Sequence, residues 1–202
     1  MKNVKDLNLK KVSHQVSEAD LWHKFKDGDK ISLGLIFKTY YDALFLYGIK
    51  LVAKEELVKD AIQDVFLKLW KSRESLGEVE VIKPYLLKCL RRHIADEAKK
   101  ITRNNACEEV LKHEFDFTFS HEDFLISQYN SRVNEIKLAN ALQKLTKRQR
   151  EVIFLKFTQG LSYDKIAEIT DINLQSIRNL IHQALKILKE NLLVCFLIYT
   201  IF

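Results

Sequence analysis

The spacing of apolar residues divides the chain into two helical parts and a segment between them. From about residue 20 to 102, and again from about 134 to 191, apolar residues recur every three or four positions, as they do in helices packed on one face. Residues 104–130 lack this spacing: their phenylalanines alternate with other residues, and six acidic residues outnumber a single lysine. The pattern predicts two small helical domains, at 20–103 and 134–191, joined by an acidic linker at 104–133.

The content of turn-forming residues favours helices throughout. The 202 residues include five glycines and one proline, whereas strands joined by tight turns need more of both. We therefore expect an all-α fold.

A stretch early in the first helical part, residues 60–70, reads DAIQDVFLKLW. Its apolar members share one helical face: Ala61, Ile62, Val65, Phe66 and Leu69. On another side Glu56, Asp60 and Asp64 repeat every four residues, with Gln63 beside them. Two such acids could hold a metal in a nuclease or hydrolase, but no further acids or histidines recur at metal-ligand spacing on the neighbouring helices. We interpret the ladder as a rim on which basic residues of another protein dock.

The end of the first part is strongly basic. Residues 81–103 read VIKPYLLKCLRRHIADEAKKITR, with seven basic residues and two acidic ones. Pro84 suits the first turn of a helix, where its missing N–H is not needed. A basic helix of this kind is either a solvated face or a surface for nucleic acid, and composition leaves both open. An aromatic residue at the start of a helix, such as Tyr85, is more often packed than stacked on a base. A histidine such as His93 is more often a surface or capping residue than a base contact.

Residues 145–188 have the pattern of a helix-turn-helix. A helix of about Lys147 to Phe157 is expected to end at Gly160, and Ser162 and Asn173 are expected to cap the second and third helices. The third, of about Leu174 to Glu190, has an apolar stripe made of Ile177, Ile181, Ala184, Leu185 and Leu188. Its other face carries polar side chains suited to base edges and phosphates: Gln175, Ser176, Arg178, Asn179, His182 and Gln183. A plain helical bundle with a polar outer face is the alternative.

Charge and cysteines narrow the function classes. The net charge of +6 and the pI of about 9.1 are compatible with a polyanionic partner. Three scattered cysteines form no disulfide or zinc pattern, so a reducing cytoplasm fits best and no metal or cofactor is expected. The N-terminus has no apolar core of a signal peptide. The uncharged tail, residues 192–202, is shorter than the about 20 residues that a membrane span needs.

Two motifs in this order resemble those of a known family. DAIQDVFLKLW is similar to the core-binding helix of bacterial alternative sigma factors of the extracytoplasmic-function (ECF) type, and residues 145–185 resemble their promoter-reading helix-turn-helix. The stretch GLIFKTYYDALFLYGIKLV resembles the helix that opens their first domain, so the likeness covers about residues 24–190. The chain departs from the family pattern at Arg92, Thr146, Lys165, Leu180 and Gln183. Because some of these positions could face DNA, the promoter sequence does not carry over.

The resemblance implies a protein without catalytic chemistry or small-molecule substrate. Residues 20–103 would be region 2, which binds the β′ coiled coil of core RNA polymerase and opens the minus-10 element. Residues 134–191 would be region 4, which reads the minus-35 element near the β flap, and the linker would thread toward the RNA exit path. A one-component regulator with a helix-turn-helix is a competing class, but it would not carry the core-binding helix.

Three sets of site residues follow from the resemblance. The polymerase-binding set is Glu56, Asp60, Gln63, Asp64 and Phe66. The minus-10 set is Lys88, Arg91, Arg92, Lys99 and Tyr85, with the loop Glu74 to Lys83 as a weaker candidate for base capture. The minus-35 set is Asn173, Gln175, Ser176, Arg178, Asn179, His182 and Gln183. An anti-sigma factor is an expected partner, and the tail is expected to extend the third helix and fold back on its own domain, or else to dock on such a factor or on the first domain.

Overall fold

The computed structural model describes the backbone of residues 17–103, 138 and 140–201, and the side chains of residues 17–100, 138 and 140–190. The helices are α1 (Glu18–Lys26), α2 (Lys30–Val52), α3 (Glu55–Ser72), α4 (Ile82–Arg103), α5 (Lys147–Ile153), α6 (Tyr163–Thr170) and α7 (Leu174–Ile201). A 3-10 turn, Arg73–Ser75, follows α3, and a π-helical turn, Phe154–Thr158, follows α5. These ranges contain no strand, and the all-α prediction is confirmed. The acidic linker, 104–133, lies outside the described residues.

Helices α1 to α4, here called the first domain, pack around an aromatic centre. Trp22 is fully buried, its indole N–H donates to the Gly77 carbonyl at 3.0 Å, and its ring lies 5.1 Å from Phe25. Asp29 begins α2 by accepting from the backbone N–H groups of Ile31 and Ser32. The apolar face predicted for residues 60–70 points into this core, since all five of its members are at most 6% exposed.

Helices α5 to α7, the second domain, form the predicted helix-turn-helix. Gly160 takes a left-handed φ of +71°, Ser162 accepts from the Lys165 N–H, and Asn173 accepts from the Ser176 N–H at 2.8 Å. The turn between α6 and α7 begins at Asp171, which is itself left-handed with φ +55°. Short polar side chains tolerate that conformation best after glycine.

Two details of the second domain differ from the prediction. The regular helix at residue 147 ends at Ile153 and continues as the π-helical turn to Thr158, rather than as α-helix to Phe157. Leu185 is 42% exposed rather than buried, because the buried stripe follows Ile177, Ile181 and Ala184 and Leu185 lies about 100° further round the helix. Helix α7 runs on to Ile201, which confirms that the tail extends the third helix.

The two domains touch. The ring of Tyr47 in α2 is fully buried and stacks on Phe154 of the second domain, with centroids 6.1 Å apart and ring planes 12° apart. Helix α4, the basic helix, packs against α6. The site residues on α4 therefore have neighbours from the other domain.

Candidate functional site

One candidate surface is the exposed edge of α3. Glu56, Asp60, Gln63 and Asp64 are all exposed on it, while the apolar side of the same helix fills the core. The spacing of four residues places the three acids in a row along the helix, as their sequence period predicts. The row is negative and open to solvent, as a docking rim must be.

An apolar groove runs beside this edge. It has a volume of about 520 Å³ and is lined by Lys30, Leu33, Phe37, Gln63, Phe66, Leu67 and Trp70. Leu67 is 56% exposed at its rim. Phe66 is 6% exposed and packs edge-on against Phe37 with centroids 5.0 Å apart, so it forms the floor of the groove rather than an outward contact. The edge and the groove together make a surface with charge on one side and apolar area on the other.

Asp64 has a partner that the sequence did not predict. Its Oδ2 lies 3.3 Å from Nε2 of His93, whose Nδ1 lies 2.9 Å from Nζ of Lys68. His93 is 8% exposed, so it is an internal bridge from α4 to α3 and not a surface or capping histidine. Within the described ranges, no three potential metal ligands converge on this carboxylate or elsewhere. Asp64 is therefore partly committed to joining two helices, whereas Asp60 faces solvent.

The second candidate surface is α4, and three of its four predicted cations face the second domain. Arg91 Nε donates to Glu151 Oε1 at 2.8 Å, and Arg92 donates to Asp171 at 3.2 Å. Lys88 Nζ lies 3.9 Å from the same Asp171 carboxylate. Lys99 lies further along the helix, 74% exposed, with an ion-pair partner on its own helix. The basic helix is thus half engaged by acids of the other domain.

Glu151 is the centre of a buried polar cluster. Its Oε1 also accepts from the Tyr47 hydroxyl at 2.6 Å, and its side chain is 10% exposed. Burial raises the pKa of Tyr47, and the Glu151 carboxylate raises it further, so the phenol stays a donor. For Arg91, burial works to lower the pKa, but the hydrogen bond and the charge of Glu151 outweigh it and the pKa is raised. No local sequence pattern predicts this cluster, because Arg91 and Tyr47 precede Glu151 by 60 and 104 positions.

The aromatic residue of the minus-10 set is half-buried. Tyr85 lies edge-on to Trp22 with centroids 5.3 Å apart, and burial raises its pKa to about 12. Nearby, Lys83 Nζ donates to the Gln159 carbonyl of the second domain at 2.8 Å, and burial lowers the pKa of Lys83. Tyr85 and Lys83 are therefore both partly engaged in contacts within the protein, and the packing expected for Tyr85 is observed.

The third candidate surface is the N-terminal half of α7. Arg178, His182 and Gln183 are exposed, and Gln175 donates to Asn179 along the same face at 3.2 Å. Ser176 is half-buried, and the side chain of Asn173 caps the helix through the Ser176 N–H. Donors and acceptors thus project from the first turns of a helix that begins right after a tight turn, the arrangement by which helix-turn-helix proteins reach the major groove.

Comparisons with known proteins match both halves of the chain. Residues 36–104 match the profile of sigma-70 region 2, and residues 135–188 match that of sigma-70 region 4. RNA polymerase sigma factor SigV of Bacillus subtilis is 26% identical over 155 residues, which are 77% of this chain and 85% of SigV. ECF RNA polymerase sigma factor SigL of Mycobacterium tuberculosis is 22% identical over 162 residues, which are 78% of this chain and 89% of SigL.

Two solved structures share the fold. CnrH, solved with the cytosolic domain of CnrY, aligns with a TM-score of 0.57 at 19% identity over 85% of this chain and 94% of CnrH. The sigma factor RpoE of Bartonella quintana, solved with the anti-sigma factor NepR, aligns with a TM-score of 0.56 at 24% identity over 82% of this chain and 96% of RpoE. Within the described residues, no helix combines the length and the apolar character that a membrane crossing requires.

Proposed function

We propose that the three candidate surfaces have separate roles in transcription initiation. The chain belongs to the sigma-70 factors of the extracytoplasmic-function type, which bind core RNA polymerase and direct promoter-specific initiation. The edge of α3 with its groove receives core polymerase, α4 holds the minus-10 element, and α7 reads the minus-35 element. The family is not known for catalysis, and we propose that this chain has none. It would act in the cytoplasm, where core polymerase resides.

The observation that carries the polymerase assignment is the pairing of an acidic row with an apolar groove on α3. A row of acids steers a basic partner and fixes its register, while the apolar groove supplies the area that yields affinity when it is covered. The β′ coiled coil is the partner that the family places here. Asp60 is the residue best suited to contact it, because no fold contact depends on its carboxylate among those described.

The DNA assignments rest on chemistry and exposure. Cations along α4 suit the phosphates of an opened strand, and exposed amides and Arg178 on α7 suit base edges and phosphates in the major groove. The departures from the family pattern at Leu180 and Gln183 lie on α7, so we expect this chain to read a minus-35 sequence of its own.

An anti-sigma factor is a further proposed partner. CnrH was solved with the cytosolic domain of CnrY bound, and RpoE was solved with the anti-sigma factor NepR bound. The groove on α3 is the surface on which we expect such a factor to compete with core polymerase. An anti-sigma factor that binds this chain equally well when core polymerase is already bound would contradict that expectation.

The polymerase assignment is tested by measuring the affinity for core RNA polymerase of two variants, Asp60→Lys and Glu168→Lys. Glu168 is an exposed acid on α6 and serves as the control. Fluorescence anisotropy of labelled protein titrated with core polymerase gives both values. We expect a large loss for Asp60→Lys and little change for Glu168→Lys. Equal affinity of the two variants would contradict the assignment of the α3 edge.

A further inference from the structure

We propose that Lys68 and His93 hold the Asp64 carboxylate in place, so that it forms a fixed part of the acidic row on α3. His93 is then a positioning residue, which lies beneath the row and acts on a partner only through Asp64. The inference rests on the proposed binding of core RNA polymerase to this edge. It adds the two residues that prepare the edge before polymerase arrives.

The three side chains form a continuous series of polar contacts from α3 to α4 and back. Lys68 Nζ lies 2.9 Å from Nδ1 of His93, and Nε2 of the same ring lies 3.3 Å from Asp64 Oδ2. A lysine ammonium has donors and no acceptor, so Nδ1 accepts and the ring proton lies on Nε2, where it donates to the carboxylate. One tautomer of a neutral imidazole satisfies both contacts. Lys68 therefore determines which donor Asp64 meets.

Burial makes His93 a fixed support for an exposed acid. The side chain of His93 is 6% exposed, whereas that of Asp64 is 56% exposed. Because α3 and α4 pack on each other, the enclosed imidazole cannot follow a moving carboxylate, and its N–H favours one rotamer of the aspartate. More than half of the Asp64 side chain stays accessible to a partner. A side chain that is ordered in advance loses less freedom on binding, which corresponds to about three- to tenfold in affinity.

A small cavity between α3 and α4 indicates what the fixed carboxylate meets. It has a volume of about 220 Å³, and its lining combines ionisable and apolar side chains, among them Asp60, Asp64, His93, Glu97, Leu57 and Ile94. Glu97 already pairs with Lys100 at 2.7 Å, which leaves Asp60 and Asp64, one helical turn apart, for a cation from outside. The apolar walls suit the methylene stem of a lysine or an arginine. The chemistry therefore fits a basic side chain of the β′ coiled coil.

The test is a pair of double-mutant cycles on the affinity for core RNA polymerase, measured by fluorescence anisotropy of the labelled full chain. His93→Leu removes both contacts of the ring and keeps an apolar side chain beneath the acidic row. The first cycle combines His93→Leu with Asp64→Ala. The control cycle combines it with Asp60→Ala, because Asp60 lies one turn away on the same exposed edge. Comparison of the two cycles separates an effect through Asp64 from an effect on the whole edge.

We expect His93→Leu to weaken binding about three- to tenfold when Asp64 is present, and to have no further effect once Asp64 is alanine. In the Asp60→Ala background the full loss should remain. His93→Gln should restore most of the affinity, because its amide can donate to Asp64 and accept from Lys68. Losses that multiply equally in both cycles would overturn the proposal, since His93 would then act on the whole edge. Unchanged affinity of His93→Leu would overturn it as well.

Lys68 provides a second test that leaves the core intact. Lys68→Ala changes an exposed residue, and Lys71→Ala, three positions further along α3 and also exposed, removes an equal charge as the control. We expect Lys68→Ala to bind core polymerase more weakly than Lys71→Ala, and equal affinities would overturn the proposal. Failure of the proposed function gives a different result, because wild-type protein would then not bind core polymerase at all. If wild type binds and the two cycles agree, the positioning role is wrong and the function stands.

Discussion

Replacement of Glu151 by alanine should uncouple the two domains. The substitution removes two short hydrogen bonds, both accepted by the Glu151 carboxylate, from a site where the acid is 10% exposed. Hydrogen bonds to charged groups contribute about 1.5–3 kcal/mol each. Because Arg91 is 28% exposed, water partly replaces the lost partner. We therefore expect Glu151→Ala to lower the free energy of unfolding by about 2–4 kcal/mol, less than the about 3–5 kcal/mol for a fully buried pair.

Glu168 provides the matched comparison. It pairs with Lys165 at 3.1 Å on the surface of α6, and the two side chains are 52% and 33% exposed. An exposed pair of this kind contributes about 0.5 kcal/mol or less. Glu168→Ala changes the same residue type in a neighbouring helix and should leave the free energy of unfolding nearly unchanged.

The assay is urea denaturation followed by two probes. Both tryptophans, Trp22 and Trp70, lie in the first domain, so their fluorescence reports that domain, while circular dichroism reports all helices. In wild type the two transitions should coincide, and in Glu151→Ala they should separate because the domains no longer support each other. Coupling of the two domains through Glu151 is refuted if Glu151→Ala loses no more stability than Glu168→Ala and its two transitions still coincide.

Three further predictions concern the first domain. Asp60→Lys should weaken binding to core polymerase and leave the thermal unfolding curve unchanged; a lowered melting temperature would point to a structural role instead. Gly48→Ala should cost about 1–3 kcal/mol, since an added Cβ would lie 2.5 Å from Val58 Cγ1, whereas Gly34→Ala, with nothing within 4 Å, should stabilise α2 by about 0.5–1 kcal/mol; equal effects in denaturation would contradict both. The side-chain hydrogen bond from Ser32 and the backbone N–H of Ile31 lower the pKa of Asp29 below its ordinary 3.8. The ionised Asp29 cap therefore stabilises the fold above pH 3.8, and this stabilisation is lost as the pH falls through the lowered pKa. NMR titration of the carboxyl group, and the pH dependence of stability compared with that of Asp29→Ala, would test this.

Local features were predictable because neighbouring residues determine them. Ser162 and Asn173 cap α6 and α7 as their position before apolar runs indicates, and Gly160 takes the left-handed turn that few other residues tolerate. The buried face of α3 followed from its spacing alone. These predictions needed no knowledge of what lies across the core.

Features that depend on distant residues escaped prediction. The Glu151 cluster joins α2, α4 and α5, and no period in the sequence relates those positions. Asp64 shows the same limit on α3, because its spacing suggested a free rim while its contact with His93 comes from the packing of α4. Spacing also placed Leu185 in the core, although the buried stripe of α7 is too narrow to include it. Which side chains of a basic helix remain available to DNA is therefore a question of domain packing.

Run-off transcription with core RNA polymerase on a panel of promoters measures whether this chain directs promoter-specific initiation. We predict that wild-type protein directs discrete transcripts from some promoters, and that Asp60→Lys abolishes them while Glu168→Lys retains them. Absence of both core binding and protein-dependent transcripts from wild type would contradict the account.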